Sequence, residues 1–200
     1  MYNLLYTPGM RTLLNKSLSL NAFAMDGAGK TYEQYDVHSL FGYMEILSTY
    51  KWMTAQGKRP YIISRSTYAG SGRWGSHWLG DNFATWDYMR YSISQIMYFN
   101  TYSIPLVGAD ICGFIDNTTP ELCLRWMQLG AFYPFMRNHN SWNTIAQEPW
   151  AFGAAYLMPM RAATYLRYSL MRYLYTTYFN VHMFGGTFFR PLFFKWETDP

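Results

Sequence analysis

Two hundred residues bound this chain to about one ordinary domain, and a content of 50% hydrophobic against 14% charged residues excludes a disordered segment. The net charge of +4 comes from scattered positions (Arg59, Arg65, Arg73, Arg90, Arg125, Arg137, Arg161, Arg167), so no basic block marks a nucleic-acid face. Aromatic residues, at 20%, predict an aromatic-rich core, a surface that stacks on sugars or bases, or both.

The opening residues, MYNLLYTPGMR, lack the basic and apolar regions of a signal peptide and read as loop, as though the chain had been cut from something longer. Tyr43, Ile46, Leu47 and Tyr50 recur at helical spacing, predicting a helix over 41–56 that Gly57 stops. Residues 60–64 read as a strand. It empties into ISRSTYAGSGRWGSHWLGDN at 63–82, a glycine-rich stretch holding one carboxylate, Asp81, among Trp78, Asn82 and Trp86. A helix over 86–100 follows, with Met89, Ile93, Ile96 and Met97 on one face. IPLVGADI at 104–111 is apolar on both faces until Asp110 and reads as a buried parallel strand. Pro120 opens a helix that Gly130 ends. Residues 132–136 read as a strand before the polar loop Arg137-Asn138-His139-Asn140, 158–178 as one long helix, and 187–194 as a run of strand character after Gly185-Gly186. The longest uncharged run, 91–109, is too interrupted by polar residues and Pro105 to span a membrane.

Strand, polar loop and helix thus recur about three times, the pattern of an α/β array, either a doubly wound sheet or a (β/α)8 barrel. The polar residues gather where the strands end: Arg65 and Asp81, then Asp110, then Arg137 and His139. Both architectures place their sites there. A barrel takes about 250 residues. The units present correspond to its C-terminal half, a piece with unpaired strand edges that is not expected to fold alone.

Gly70-Ser71-Gly72-Arg73-Trp74-Gly75 fits a dinucleotide fingerprint, but the third glycine leads into 76–80, which reads as loop, and no acid follows near residue 92. Cys112 and Cys123 are too far apart for a CxxC motif and have no second pair for zinc; they read as two buried thiols or as a local disulfide. Sequons at Asn15 and Asn117 are compatible with secretion. Asp81 reads either as the cap of the following helix or as a carboxyl tuned by apolar neighbours, and Asp110 as a buried partner of Arg65 or Arg137. Trp78 and Phe114 read as rim aromatics and His139 as a loop histidine. Taken together, two carboxylates, cations and aromatic platforms at consecutive strand ends suit glycoside chemistry. No G-x-S-x-G elbow is present, and Cys112 has no plausible base beside it.

In order and spacing, YDVHSLFGY, RPYIISRSTYAGSGRWGSHWLGDN, VGADICGF, ELCLRWMQLGAFYPFMRNHN and GGTFFRPLFF resemble glycoside hydrolase family 31, in the branch of lysosomal and intestinal α-glucosidases. The resemblance runs over about 6–200. It implies an α/β fold in which 1–183 form the C-terminal half of a (β/α)8 barrel, about strands 5–8, and 184–200 start a β-rich domain. It also implies a retaining exo-α-glucosidase of the secretory pathway, acting on maltose-like oligosaccharides without metal or cofactor, and touching membranes only through parts of a parent chain. By the motif match Asp81 would be the general acid/base. Arg65 and His139 would bind glucose hydroxyls, Asp110 and Arg137 would line the same pocket, and Trp78 and Phe114 would wall it. Cys112 and Cys123 fall where the branch carries a disulfide.

The chain departs from the family pattern in one important respect. The nucleophilic aspartate belongs to a Trp-x-Asp-Met-Asn-Glu segment that is absent here, and Trp86-Asp87-Tyr88-Met89, on the helix after Asp81, is no substitute. Ser39 for asparagine and Leu4-Leu5 for Pro-Pro are minor. The alternatives are another specificity of the family (α-xylosidase or glucan lyase), a silent sugar-binding piece, or a self-contained pair of Asp81 and Asp110, which requires that both face one cavity.

Overall fold

The computed structural model describes residues 22–199; the N-terminal loop, the Asn15 sequon and the Leu4-Leu5 pair lie outside the described residues. The first elements, β1 (Phe23–Met25) and β2 (Thr31–Glu33), pair antiparallel. This hairpin was not read from the sequence, although Asp26-Gly27 is a turn signal. The Asp26 carboxylate closes the turn by accepting from the backbone N–H of Ala28 at 2.9 Å and of Lys30 at 3.0 Å. Helix α1 (Phe41–Ala55) matches its prediction to within a residue.

The parallel strands are short. β3 (Ile63–Ser64), β4 (Ser76–Trp78) and β5 (Val107–Gly108) form one ladder, and β6 (Asp110–Ile111) pairs with β7 (Arg137–Asn138). The single strand expected over 104–111 is therefore two strands broken at Ala109: the run leaves β4 on one side and joins β7 on the other. Such a change of partner is how a parallel sheet curves onward. The strand expected over 132–136 is displaced to Arg137–Asn138, residues read as loop. Pro134 has no N–H to give to a ladder, and regular pairing starts only after Phe135 N–H meets the Val107 carbonyl at 3.0 Å. Residues 76–78, also read as loop, are β4. His77 is buried there, stacked on Phe99 with ring centroids 3.8 Å apart, and burial pushes its imidazole down to about 4.

The β3–β4 crossover holds only a 3-10 turn, Ser71–Arg73, in place of a helix. In that turn a Cβ on Gly72 would meet the Ser103 carbonyl oxygen at 1.8 Å, so this glycine serves close backbone packing and not a phosphate cradle. Helix α2 (Trp86–Thr101) links β4 to β5, and α3 (Pro120–Gly130) links β6 to β7. Thr119 caps α3 by accepting from Leu122 N–H at 3.3 Å, with Pro120 in the first turn. The long helix expected over 158–178 is two, α4 (Ala154–Ser169) and α5 (Met171–Phe184), broken at Leu170. Residues 187–194 contain no strand; Leu192–Phe194 form a 3-10 turn, and the N–H groups of Phe188 and Phe189 are held by the Asn100 Oδ1.

The core gathers Ile96 of α2, Val107 and Ile111 of the broken strand, Leu122, Trp126 and Met127 of α3, Tyr133, and Met160 of α4. Tyr133 and Ser92 are paired inside it: the Tyr133 hydroxyl accepts from Trp126 Nε1 at 2.9 Å and meets the Ser92 hydroxyl, and burial pushes the phenol up to about 12. Aromatic residues are also spent on the surface, where Tyr168 of α4 and Tyr173, Tyr175 and Phe184 of α5 are exposed. Among the described residues no helix is long and apolar enough to cross a membrane.

Candidate active site

Arg65, Asp81 and His139 lie just past strands as expected, whereas Asp110 and Arg137 begin strands. Arg65 directly follows β3, Asp81 follows β4 by three residues, Asp110 and Arg137 open β6 and β7, and His139 follows β7. The chain turns from β4 to Asp81 at Gly80, whose φ is +88°; a Cβ there would lie 2.9 Å from the Arg65 Nε. Glycine at this point lets the Arg65 guanidinium lie against the loop, with Nη1 3.8 Å from the Asp81 Oδ2. Asp81 is not the cap of α2: that place is filled by Thr85, whose hydroxyl accepts from Tyr88 N–H at 3.3 Å. Nor does Trp78 point its N–H at Asp81; it donates to Asp110.

A cleft of about 730 Å³ opens over this end of the strands, lined by Arg65, Asp81, Tyr88, Phe114, Asn117 and Ser141 among others. Behind it lies a buried network. Asp110 is fully buried, and its Oδ1 accepts from Trp78 Nε1 at 2.8 Å and from Arg137 Nη2 at 2.9 Å. Its ion-pair partner is thus Arg137 and not Arg65. Burial pushes the Asp110 carboxyl above the usual carboxylate range, opposed by the Arg137 guanidinium. The Arg137 guanidinium lies 5.0 Å from the Trp78 ring centroid and that of Arg65 lies 5.8 Å from it, so the indole stands between two cations. The His139 ring meets Trp78 edge-on at 6.4 Å and Phe114 at 4.9 Å.

All seven expected site residues therefore form one contiguous set. Asp81, Arg65 and Phe114 line the cleft; Trp78, Asp110, Arg137 and His139 stand behind and beside it. Because Asp110 is closed off while Asp81 lines the cleft, the two carboxyls do not face one cavity, and they do not make a self-contained pair. Cys112 and Cys123 form a disulfide, which resolves the two readings of these residues.

Other residues at the site were not read from the sequence. Buried Asn82 donates from Nδ2 to the Asp110 carbonyl at 2.9 Å and accepts Phe114 N–H at its own carbonyl at 2.8 Å, tying the Asp81 loop to the Phe114 loop. Asn117, of the second sequon, lines the cleft and accepts Ile145 N–H at its Oδ1 at 2.9 Å. Buried Gln147 braces the loops that follow β6 and β7. The position of Asn82, next to the loop carboxylate, is a local signal; Gln147 has none.

Residues 10–177 match the description "Glycosyl hydrolases family 31 TIM-barrel domain". The chain is 51% identical over 167 residues to lysosomal α-glucosidase of Bos taurus, covering 83% of this chain and 18% of that protein. It is 46% identical over 198 residues to intestinal sucrase-isomaltase of Homo sapiens, covering 97% of this chain and 11% of that one. Among solved structures, the glucosidase II α subunit superposes with a TM-score of 0.80 at 35% identity, covering 85% of this chain and 19% of that chain. A family 31 α-glucosidase from Bacteroides thetaiotaomicron superposes with a TM-score of 0.79 at 34% identity, covering 87% and 30%. The chain spans less than a fifth of the length of the curated relatives named here.

Proposed function

Because the chain belongs to glycoside hydrolase family 31, we propose that it forms the acid/base side of the active site of a retaining exo-α-glucosidase, with the nucleophilic aspartate on a segment outside these 200 residues. The observation that carries this reading is the state of Asp81. Its side chain is 20% exposed in a cleft large enough for a sugar, it caps no helix, and its ion-pair partner is Arg65.

In the first step Asp81 gives its proton to the glycosidic oxygen while the outside aspartate attacks the anomeric carbon. In the second step Asp81 takes a proton from the water that releases glucose. Retention requires the two carboxyls about 5–5.5 Å apart. Arg65, beside Asp81, and His139, on the Phe114 ring, supply hydroxyl-binding groups. Phe114 and Trp78 supply apolar faces, and the Asp110–Arg137 pair fixes Trp78 through its N–H. The substrate class is terminal α-linked glucose of maltose-like oligosaccharides, as the names of the relatives support. Residues 1–183 then belong to the C-terminal half of the barrel, with 184–200 leading into a β-rich domain. The disulfide and the lysosomal and intestinal relatives support a compartment of the secretory pathway.

The test uses the full-length protein that carries this sequence. Hydrolysis of an aryl α-glucoside, whose leaving group is not a sugar, followed by NMR should release α-glucose first. Release of β-glucose first would overturn retention. From a substrate panel, xylose or an unsaturated sugar would move the reading to a sibling specificity, and no sugar release at all would reduce it to sugar binding.

A further inference from the structure

We infer that Gln147 is a positioning residue that holds the His139 and Phe114 sides of the site in register through a single side-chain nitrogen. The inference rests on the reading of the site given above.

Gln147 is 2% exposed and lies outside every helix and strand, between β7 and the 3-10 turn Pro149–Phe152. Its Nε2 is 3.2 Å from the carbonyl of Ile111, 3.2 Å from that of Gly113, 3.1 Å from that of His139 and 2.8 Å from the Asn138 Oδ1. An amide nitrogen carries two hydrogens, so four acceptors share them in three-centre bonds. The other end of the amide, Oε1, is buried without a partner. This asymmetry fixes the orientation, because a flipped amide would aim its oxygen at four oxygens.

The carbonyls gathered here lie where the paired strands β6 and β7 run out into the two loops that carry Phe114 and His139. Ile111 and Gly113 flank Cys112, and Cys112 and Gly113 both have positive φ, +77° and +90°. For a cysteine that conformation costs about 1 kcal/mol and persists only when its surroundings demand it. The chain leaves this bend directly into Phe114. The third backbone carbonyl belongs to His139, whose ring packs on Phe114 at 4.9 Å. The backbone of Gln147 completes the brace: its carbonyl accepts from Asn138 Nδ2 at 2.9 Å. Gln147 is absent from the cleft lining, so it acts through His139 and Phe114 and touches no sugar.

The test is a double-mutant cycle in the full-length protein. Gln147→Met keeps the length and removes the donor. In the His139 background it should lower kcat/KM for maltose by about tenfold or more, as misplacement of a binding group does. In the His139→Ala background it should lower it by a clearly smaller factor, because one of the two groups being positioned is gone. An equal loss in both backgrounds, or none in either, overturns the inference. If the methionine variant does not fold, Gln147→Glu decides. A protonated glutamic acid can still donate to the oxygens and an ionised one repels them, so the ratio of variant to wild-type activity should climb as pH falls. A flat ratio overturns the inference. Failure of the α-glucosidase reading would show separately, as a wild-type protein that releases no glucose.

Discussion

Asp110 and Arg137 open neighbouring parallel strands and meet through one hydrogen bond of 2.9 Å, with the Asp110 side chain fully buried and the Arg137 side chain 36% exposed. Trp78 joins them from β4, so three strand ends share one carboxylate oxygen. Removing one member of such a pair strands a charge in a dry interior.

Arg137→Met should therefore destabilise the protein by roughly 2–3 kcal/mol, below the full range for a wholly buried pair because Arg137 is partly exposed. Asp110→Asn, which keeps an acceptor for both donors and leaves the unpaired charge on the partly exposed Arg137, should cost less. Thermal unfolding of both variants checks the order. A larger loss from Asp110→Asn would show that the pair does not set the stability here.

His77 gives a pH dependence with a defined sign. Burial lowers its value from 6.5 to about 4, so the unfolded chain takes up a proton between those limits that the folded one refuses. The stability contribution is fully present above pH 6.5 and is lost as pH falls toward 4, by about 3 kcal/mol at most. Urea midpoints at pH 7 and pH 4.5 should differ more for the wild type than for His77→Gln. The same difference in both would assign the acid sensitivity to other groups.

Gly80 separates backbone strain from site geometry. Gly80→Ala forces a Cβ to within 2.9 Å of the Arg65 Nε at a φ of +88°, so Arg65 must leave its place beside Asp81. Gly57→Ala, at a φ of +69°, meets nothing within 4 Å. Both should cost roughly 1 kcal/mol in stability, but only Gly80→Ala should reduce kcat/KM, by about tenfold or more. Equal kinetics in the two variants would detach Arg65 from the chemistry.

The sequence shows the α/β order and the positions of Arg65, Asp81 and His139 just past strands, because both depend on local runs and their spacing; it puts Asp110 and Arg137 at strand ends as well, whereas they open β6 and β7. It hides β4, whose Ser76-His77-Trp78 looks polar until His77 is seen stacked on Phe99. It misplaces β7, because the apolar residues around Pro134 look like a strand while proline withholds the N–H a ladder needs. The break at Leu170 is equally silent in a continuous amphipathic pattern. At the site, the ion-pair partner of Asp110 stays open between two arginines until the strand order places Arg137 beside it. Gln147 cannot be found at all, since its meaning lies in carbonyls 34 and 36 positions away at and just past β6 and 8 positions away just past β7.

The central claim is that Asp81 is the general acid/base, and its replacement tests it most directly. In the full-length protein, Asp81→Asn should lower maltose turnover by about a thousandfold or more, within the range of general acid–base catalysis. Azide, which needs no base to attack the glycosyl-enzyme, should restore turnover of an aryl α-glucoside whose leaving group needs no proton. Maltose turnover at the wild-type rate in Asp81→Asn would contradict the account.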